Sequence, residues 1–481
     1  MKQKDWKIIY TKYEGLIKKA VNFLSKEAGA TLIRVPNVYT IYVLPCEREG
    51  CAVSKNAFFV GCYDDSPMIQ KFVKADEIPE NGYLVKVVEN PDDAEEGRFV
   101  IITAHDAQNV FYAAVSFIDD YIPANAQFFG ANKMPDFIFD RPLTVASYSH
   151  KFDYTKRNIF TWGHSINDYR KYLDNMARLK LNVLYLWNDY IPINIDDIID
   201  YAHSYGIKVI LGYSWGWKEI GNKATEITDE KINEVKELVI RQYREDYAHV
   251  KCDGIYFQTF TERNEQSLNG RNISELAVEM VNDVAEKIWE INPSLHLVFG
   301  LHSTSVCTRL DDIAKVNPKI EILWEDCGKF PFNYVPYITD FEGYEQSKDF
   351  IKEILKLRGG ANMGILLKSS MMLDWSAFVN QHGPYVMGEN SSEVAEHDRR
   401  VRAKSWRWYC SEWTKFGVKA HEILNIIKEN KIGDVDLGIA GTYDGGICLP
   451  TALCAEMIRD CSDDFADILK RVSARPSVTL D

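Results

Sequence analysis

The 481-residue chain lacks the marks of several large protein classes. No apolar run approaches the roughly 18 residues of a membrane-spanning helix. The ten cysteines form no paired CxxC signature, and the HxH motif of barrel metallohydrolases is missing. No glycine-rich phosphate loop or nucleophile elbow stands out. The sequence therefore predicts no membrane segment, no metal and no cofactor.

Positively charged residues are also fewer than negatively charged ones. Lysine and arginine number 56 against 70 aspartates and glutamates, which gives a net charge of -14. This balance argues against nucleic acid and anionic membranes as partners. The first residues, Met1 to Trp6, are charged and lack the apolar segment of an export signal. We therefore expect a cytoplasmic protein whose cysteines are free thiols.

The apolar periodicity divides the chain into three parts. Residues 1–140 read as a helix over 1–30, several short strands and a second helix, which predicts a small α+β domain. Residues 141–390 alternate short strands with helices, the pattern of a (β/α)8 barrel, with a weak eighth strand at 384–388. Residues 391–481 are mostly helical, and these helices could cover a homodimer interface or pack on the barrel.

The stretch from Asp253 to Glu262 organises this pattern. A short apolar run after Gly254 ends in Gln258, two threonines and Glu262. A buried parallel strand reads in this way, apolar through the core and polar where it emerges. In a (β/α)8 barrel Glu262 would lie at the C-terminal rim, where such folds carry their chemistry. We interpret Glu262 as the centre of an active site.

Further carboxylates follow other predicted strands. Glycoside hydrolysis needs an acid that protonates the leaving oxygen and a second group that faces the anomeric carbon. Glu262 is the candidate acid, and Glu325 or Asp326 is the candidate base or nucleophile. Asp374 is a second candidate partner and Asp189 a third. The adjacent pair Glu325 and Asp326 could instead cap a helix.

Aromatic and polar side chains cluster at the same predicted strand ends. Flat rings suit the apolar faces of sugars, while neighbouring polar groups bond the hydroxyls. The candidate substrate-binding residues are Trp162, His164, Trp187, Asn188, Asp189, Tyr213, Trp215, Trp217, Gln258, His302, Trp324, Lys368, Asp374 and Trp375.

Two segments resemble known glycosidases. Gly82-Tyr83-Leu84-Val85 and the stretch from Asp106 to Tyr112 are similar to the small N-terminal domain of family 20 β-N-acetylhexosaminidases and family 67 α-glucuronidases. The resemblance implies a catalytic barrel after this domain, with Glu262 at the fourth-strand position of the acid. Family 20 enzymes carry an Asp-Glu pair there, whereas this chain has Thr261 before Glu262. A glutamate on strand four with carboxylates on strand six resembles the inverting α-glucuronidases.

The sequence thus predicts a glycoside hydrolase that cleaves a terminal sugar, with β-N-acetylhexosaminidase-like activity ahead of an α-glucuronidase-like one. Two other classes stay open. One is a barrel hydrolase or lyase that acts on a non-sugar substrate. The other is a carbohydrate-binding protein with a non-catalytic barrel.

Overall fold

A computed structural model describes residues 6–28, 42–45, 55–125, 127–129, 134–136, 142–161, 166–187, 190–220, 227–263, 265–302, 306–325, 344–367, 384–388, 407–440 and 446–479. The chain forms two compact units. The first comprises Met1–Phe152 with Lys470–Val478, and the second comprises Asp153–Leu469 with Thr479–Asp481.

A six-stranded mixed sheet is the centre of the first unit. Its strands are β1 (Trp6–Tyr10), β2 (Tyr42–Pro45), β3 (Asn56–Cys62), β4 (Gly82–Asn90), β5 (Asp93–Ala104) and, after the short pair β6 (Gln127–Phe129) and β7 (Met134–Asp136), β8 (Ala146–Lys151). The spatial order is β2-β1-β3-β5-β4-β8. The first four of these strands are parallel, and β4 is antiparallel to both of its neighbours.

Apolar side chains cover both faces of this sheet. On one face, Phe59 and Phe99 lie at the centre of a buried cluster. On the other, Phe58 packs edge-on against Phe117, at the end of a helix. The helices of this unit are α1 (Gly15–Ala28), α2 (Pro67–Gln70), α3 (Ala107–Ser116) and α4 (Ile122–Asn125). Asp106 begins α3, since its side chain accepts the backbone N–H of Asn109.

The second unit contains a closed barrel of eight parallel strands. They are β9 (Arg157–Phe160), β10 (Val183–Trp187), β11 (Lys208–Ser214), β12 (Gly254–Gln258), then, after the short pair β13 (Ser267–Leu268) and β14 (Arg271–Asn272), β15 (His296–Leu301), β16 (Glu321–Glu325), β17 (Met363–Leu367) and β18 (Val435–Ala440). Alternate residues point inward, and Phe160, Tyr185, Tyr256, Leu323 and Leu366 share the buried interior.

Helices follow the barrel strands, as the alternating pattern predicted. They are α5 (Tyr169–Arg178), α6 (Ile195–His203), α7 (Asp229–Gln242), α8 (Ile273–Ile291), α9 (Leu310–Ile313), α10 (Tyr344–Lys356), α11 (407–416), α12 (Val418–Asn430), α13 (Leu449–Arg459) and α14 (Phe465–Ser473). Two further short strands are β19 (Ile447–Cys448) and β20 (Val478–Thr479). Across the described ranges, no helix is both long and apolar enough to cross a membrane.

The structure confirms the predicted fold class and corrects two of its elements. The eighth barrel strand is β18, which pairs with β17 and β9, so the barrel continues past residue 390. Residues 384–388 instead bond the loop before α6, where Ile193 N–H donates to the Tyr385 carbonyl. The first element is also not a single helix over 1–30, because the apolar stretch Trp6–Tyr10 forms a strand between β2 and β3.

A polar cluster occupies the N-terminal end of the barrel interior. Asp436, on β18, accepts hydrogen bonds from Asn158 Nδ2 at 2.6 Å and from the Tyr185 hydroxyl at 2.8 Å. Glu321, on β16, is fully buried, with His296 Nε2 3.0 Å from one carboxylate oxygen and the Lys156 ammonium on the same oxygen. These buried charged groups affect the stability of the fold, since the chemistry of such barrels takes place at the opposite, C-terminal end.

Asp436 and Glu321 take opposite protonation states. Burial, followed by the charge of Glu321, raises the pKa of Asp436 to about 7. Burial also opposes ionisation of Glu321, but the hydrogen bond of His296 and the charge of Lys156 together lower the pKa of Glu321. One carboxyl group of the pair is therefore protonated and the other ionised around pH 6.

We expect Asp436→Asn to make the stability of the protein less dependent on pH. The wild type loses stability as the pH rises from about 4 to 7, because Asp436 ionises readily only in the unfolded chain. An amide does not titrate, so this contribution is absent from the variant. The difference in melting temperature, variant minus wild type, should increase from pH 5 to pH 8. The increase should be equivalent to on the order of 2–4 kcal/mol.

Asp312→Asn is the matched control for this measurement. A hydrogen bond from Lys315 lowers the pKa of Asp312 to about 2, so this carboxylate is ionised throughout the range from pH 5 to 8. Its replacement should change the melting temperature by the same amount at both pH values. A constant difference for Asp436→Asn as well would contradict the protonated state of Asp436.

Candidate active site

Glu262 lies in the turn after β12, at the C-terminal end of the barrel. Its Oε2 accepts the indole N–H of Trp217 at 2.8 Å, and about a quarter of its side chain is exposed. Trp217 belongs to the loop after β11. This loop is bonded to the neighbouring strand β12, because the Trp215 N–H donates to the Gln258 carbonyl at 2.9 Å. The buried guanidinium of Arg263 also bonds the Ile220 carbonyl in this loop. These contacts hold the two strand ends together.

Glu325 ends β16 and points into the barrel with none of its side chain exposed. Its Oε1 accepts hydrogen bonds from the Tyr256 hydroxyl and from Gln258 Nε2, both on β12. Gln258 Nε2 also lies 3.0 Å from the Tyr256 hydroxyl oxygen. A carboxylate withdrawn from water requires such donors, since an uncompensated buried charge is strongly destabilising.

His302 lies between the two glutamates, just past the end of β15. Its Nε2 is 2.9 Å from Glu325 Oε2, and its Nδ1 is 4.0 Å from Glu262 Oε1. About an eighth of its side chain is exposed. Three consecutive barrel strands, β12, β15 and β16, thus bring Glu262, His302 and Glu325 together.

Two glycines leave room for the aromatic rings beneath this group. A Cβ atom at Gly300 would lie 1.9 Å from the Tyr256 hydroxyl oxygen, and one at Gly212 would lie 2.6 Å from the ring of Trp187. Trp187 in turn meets Tyr256 edge-on, with ring centroids 5.4 Å apart. Because Gly300 and Gly212 have no side chains, Tyr256 and Trp187 can occupy this space.

Three predicted sugar-binding aromatics lie elsewhere, which corrects their assignment. Trp215 stacks on Phe257 at a centroid distance of 3.6 Å, Trp324 packs edge-on against Phe350 of α10, and the Tyr213 hydroxyl donates to the Val239 carbonyl of α7. All three are buried. Tyr213 and Trp324 alternate with the inward positions of their strands, so both point to the helix layer.

Of the other predicted site residues, Trp187, Trp217, Gln258, His302, Glu262 and Glu325 lie at the barrel mouth. Trp162, His164, Asn188, Asp189, Asp326, Lys368, Asp374 and Trp375 lie outside the described residues, and their roles stay predictions. Tyr256 was missed. Its position two residues before Gln258 was the available signal, because residues i and i+2 of a strand share one face.

Within the part of the chain that the structure describes, no group of three or more His, Cys, Asp or Glu side chains is placed to hold a metal ion. His302 contacts glutamate oxygens, as described above, and His296 contacts Glu321.

Comparison with solved structures returns glycoside hydrolases of similar fold. A family 115 4-O-methyl-α-glucuronidase with specificity for decorated arabinogalactans is 12% identical, with a TM-score of 0.51 over 96% of this chain and 56% of the other. A family 20 β-N-acetylhexosaminidase from Streptomyces coelicolor is 10% identical, with a TM-score of 0.50 over 97% of this chain and 90% of the other. A family 89 glycoside hydrolase from Clostridium perfringens is 10% identical, with a TM-score of 0.50 over 96% and 51%.

This chain spans about half the length of the family 115 and family 89 enzymes. No protein-family model matches the sequence, and a search of curated proteins also found no match. At 10–12% identity the likeness establishes the shared barrel fold. Fold alone does not determine function, which has to be argued from the site.

We expect Gly300→Ala to destabilise the protein, because the added methyl group overlaps the Tyr256 ring, whose Cζ lies 2.2 Å from the Cβ position. Overpacking of this kind typically costs about 1–3 kcal/mol. Urea unfolding at neutral pH measures the loss. An unfolding midpoint equal to that of the wild type would show that Tyr256 has a second position that fits the barrel.

Proposed function

We propose that this protein is a glycoside hydrolase in which Glu262 is the general acid. The observation that carries the proposal is a partly exposed glutamate at the C-terminal end of the fourth barrel strand, held by an indole N–H and with an imidazole nitrogen 4.0 Å from its other oxygen. The fold similarity to glycosidases supports the same reading. Chemistry in such barrels takes place at this end.

In this mechanism the protonated Glu262 donates its proton to the glycosidic oxygen. The bond from that oxygen to the anomeric carbon breaks, and its electron pair stays on the leaving oxygen. Water then adds to the anomeric carbon, directly or after a covalent intermediate, and releases a proton to a carboxylate. The candidates for that second carboxylate are the adjacent Glu325 and Asp326, with Asp374 and Asp189 as alternatives.

Trp217 is the proposed platform for the sugar. This residue is 38% exposed at the barrel mouth although its indole N–H is bonded to Glu262. A ring held in this way offers a flat apolar face next to the acid. Trp187, Gln258 and His302 are further proposed contacts, together with the predicted residues Trp162, His164, Asn188, Lys368 and Trp375.

The substrate class follows from the same comparisons as a finer proposal. A terminal β-N-acetylhexosaminide of a small oligosaccharide or glycoconjugate is the first candidate, in keeping with the family 20 enzyme of similar fold. An α-glucuronide cleaved with inversion is the second, favoured by Thr261 in place of aspartate and by the family 115 enzyme. We also propose a cytoplasmic location, a carbohydrate as the binding partner and a homodimer.

We expect Glu262→Gln to lower turnover of an aryl glycoside on the order of a hundredfold or more, since a general acid is lost. The loss should be smallest for leaving groups that need no proton, such as dinitrophenolate. Hydrolysis of aryl β-N-acetylglucosaminide, β-glucoside, β-galactoside and α-glucuronide by wild type and variant gives the class of sugar and the role of Glu262 together.

Glu279→Gln is the matched control, since this glutamate lies exposed on α8 and its change leaves the barrel mouth intact. Its turnover should equal that of the wild type. Equal turnover by Glu262→Gln would remove Glu262 as the acid. Sugar binding that survives in a protein with no turnover on any glycoside would favour the non-catalytic barrel, and activity lost on chelation would favour a metal-dependent hydrolase.

Trp217 variants separate stacking from hydrogen bonding. Trp217→Phe keeps an aromatic face but removes the N–H that bonds Glu262, so we expect kcat to fall several-fold with little change in KM. Trp217→Ala removes both and should also raise KM by up to about tenfold, given about 0.5–1.5 kcal/mol for a stacked ring. Identical kinetics for the two variants would show that the ring does not contact the sugar.

A further inference from the structure

We propose that Glu325 is a positioning residue that acts through His302, and that it is neither the nucleophile nor the base. In this assignment Glu325 orients the imidazole so that an unprotonated Nδ1 faces Glu262. The inference rests on the proposed function of the site, since it assigns roles within the same catalytic group. It also leaves the second catalytic carboxylate to a residue other than Glu325.

Burial argues against direct chemistry at Glu325. A nucleophile or base has to reach the anomeric carbon or a water molecule beside it. The Glu325 side chain is fully buried, its Oε1 accepts from Tyr256 and Gln258, and its Oε2 faces the imidazole of His302. Tyr256 lies beneath it, fixed in place by the space at Gly300. His302 therefore separates Glu325 from the more exposed Glu262.

The neighbours of Glu325 also determine where the imidazole carries its proton. Tyr256 and Gln258 both donate to Oε1 of Glu325, and two donors on one oxygen stabilise the ionised form of the carboxyl group. Nε2 of His302 lies 2.9 Å from the remaining oxygen, and a hydrogen bond to an ionised Glu325, which can only accept, requires the proton on Nε2. In the neutral ring Nδ1 then carries a lone pair, as in other carboxylate–histidine pairs.

The lone pair on Nδ1 faces the oxygen from which Glu262 would donate. Because Glu262 Oε2 accepts the N–H of Trp217, the acidic proton belongs on Oε1. Oε1 lies 4.0 Å from Nδ1, which is near this lone pair but beyond the length of a direct hydrogen bond. An acceptor at this position favours the protonated carboxyl group over the carboxylate, which is the form that a general acid needs.

The tautomer of His302 tests this assignment in the full-length protein without any substrate. Two-dimensional ¹H–¹⁵N spectra of the imidazole distinguish protonated from unprotonated ring nitrogens, and the His302→Gln spectrum assigns the signals. We expect a proton on Nε2 and a bare Nδ1 in the wild type at neutral pH. A proton on Nδ1 in the wild type would overturn the proposal, and this result requires no variant to fold apart from the one used for assignment.

Variants of Glu325 then test whether it acts through His302. Glu325→Gln should mix the tautomers, shift the pH profile of kcat/KM and lower kcat/KM on the order of 10–100-fold, with Glu325→Asp closer to wild type. The double variant Glu325→Gln/His302→Gln should be no worse than the lower single variant. Glu456→Gln, which changes a buried glutamate paired with Arg459 on α13, is the control and should leave the His302 signals unchanged.

Rescue by azide separates the two roles of Glu325. If Glu325 were the nucleophile or base, azide would restore turnover to Glu325→Ala and form a glycosyl azide, because the anion replaces the missing carboxylate at the anomeric carbon. We expect no rescue, and glycosyl azide would overturn the proposal. If no glycoside is turned over but the tautomer is as expected, the proposed function fails while the orientation of His302 by Glu325 stands.

Discussion

Burial of the Glu325 carboxylate is the constraint on which the mouth of the barrel depends. A charge removed from water needs hydrogen-bond donors on every accessible side. On β12, two strands away, the Tyr256 hydroxyl and the Gln258 amide donate to Oε1 of Glu325. His302, just past the end of β15, places its imidazole beside Oε2. Two glycines in neighbouring strands allow the rings to fit. Loss of any one of these features leaves a buried charge with fewer partners.

The same strand places charge at both ends of the barrel. Glu321 and Glu325 lie four residues apart on β16 with Leu323 between them in the buried interior. Glu321 is matched by Lys156 and His296, and it shares the N-terminal end with Asp436. At the C-terminal end, the described partners of Glu325 include one imidazole and two neutral donors. One end thus pairs its carboxylate with an ammonium group and an imidazole, and the other places an imidazole beside a partly exposed glutamate.

The resulting arrangement differs from a simple pair of carboxylates. In that simple case both groups would face the substrate across the anomeric carbon. Here the exposed group is Glu262, and the buried group meets it only through His302. The shared fold with glycosidases of three families is compatible with several substrates and with either stereochemical outcome. The chemistry of the individual side chains therefore carries the functional argument.

Sequence periodicity by itself determined the barrel, its first seven strands and the end of β12 at which Glu262 emerges. Strand and helix periods depend only on neighbouring residues, so they are visible along the chain. The eighth strand was not predicted because β18 lies within the C-terminal region whose pattern is mostly helical, and its place depends on pairing with β17 and β9. Only closure of the barrel brings together residues from distant strands.

Tertiary structure alone decided which of the predicted aromatics reach the site. Trp187 and Trp217 lie at the barrel mouth, whereas Tyr213 and Trp324 point to the helices and Trp215 stacks on Phe257. Proximity to a strand end does not give the direction of a side chain, because residues on a strand alternate between two faces. For the same reason the sequence marked Glu325 and His302 as polar residues near strand ends, and only the fold showed that one is buried behind the other.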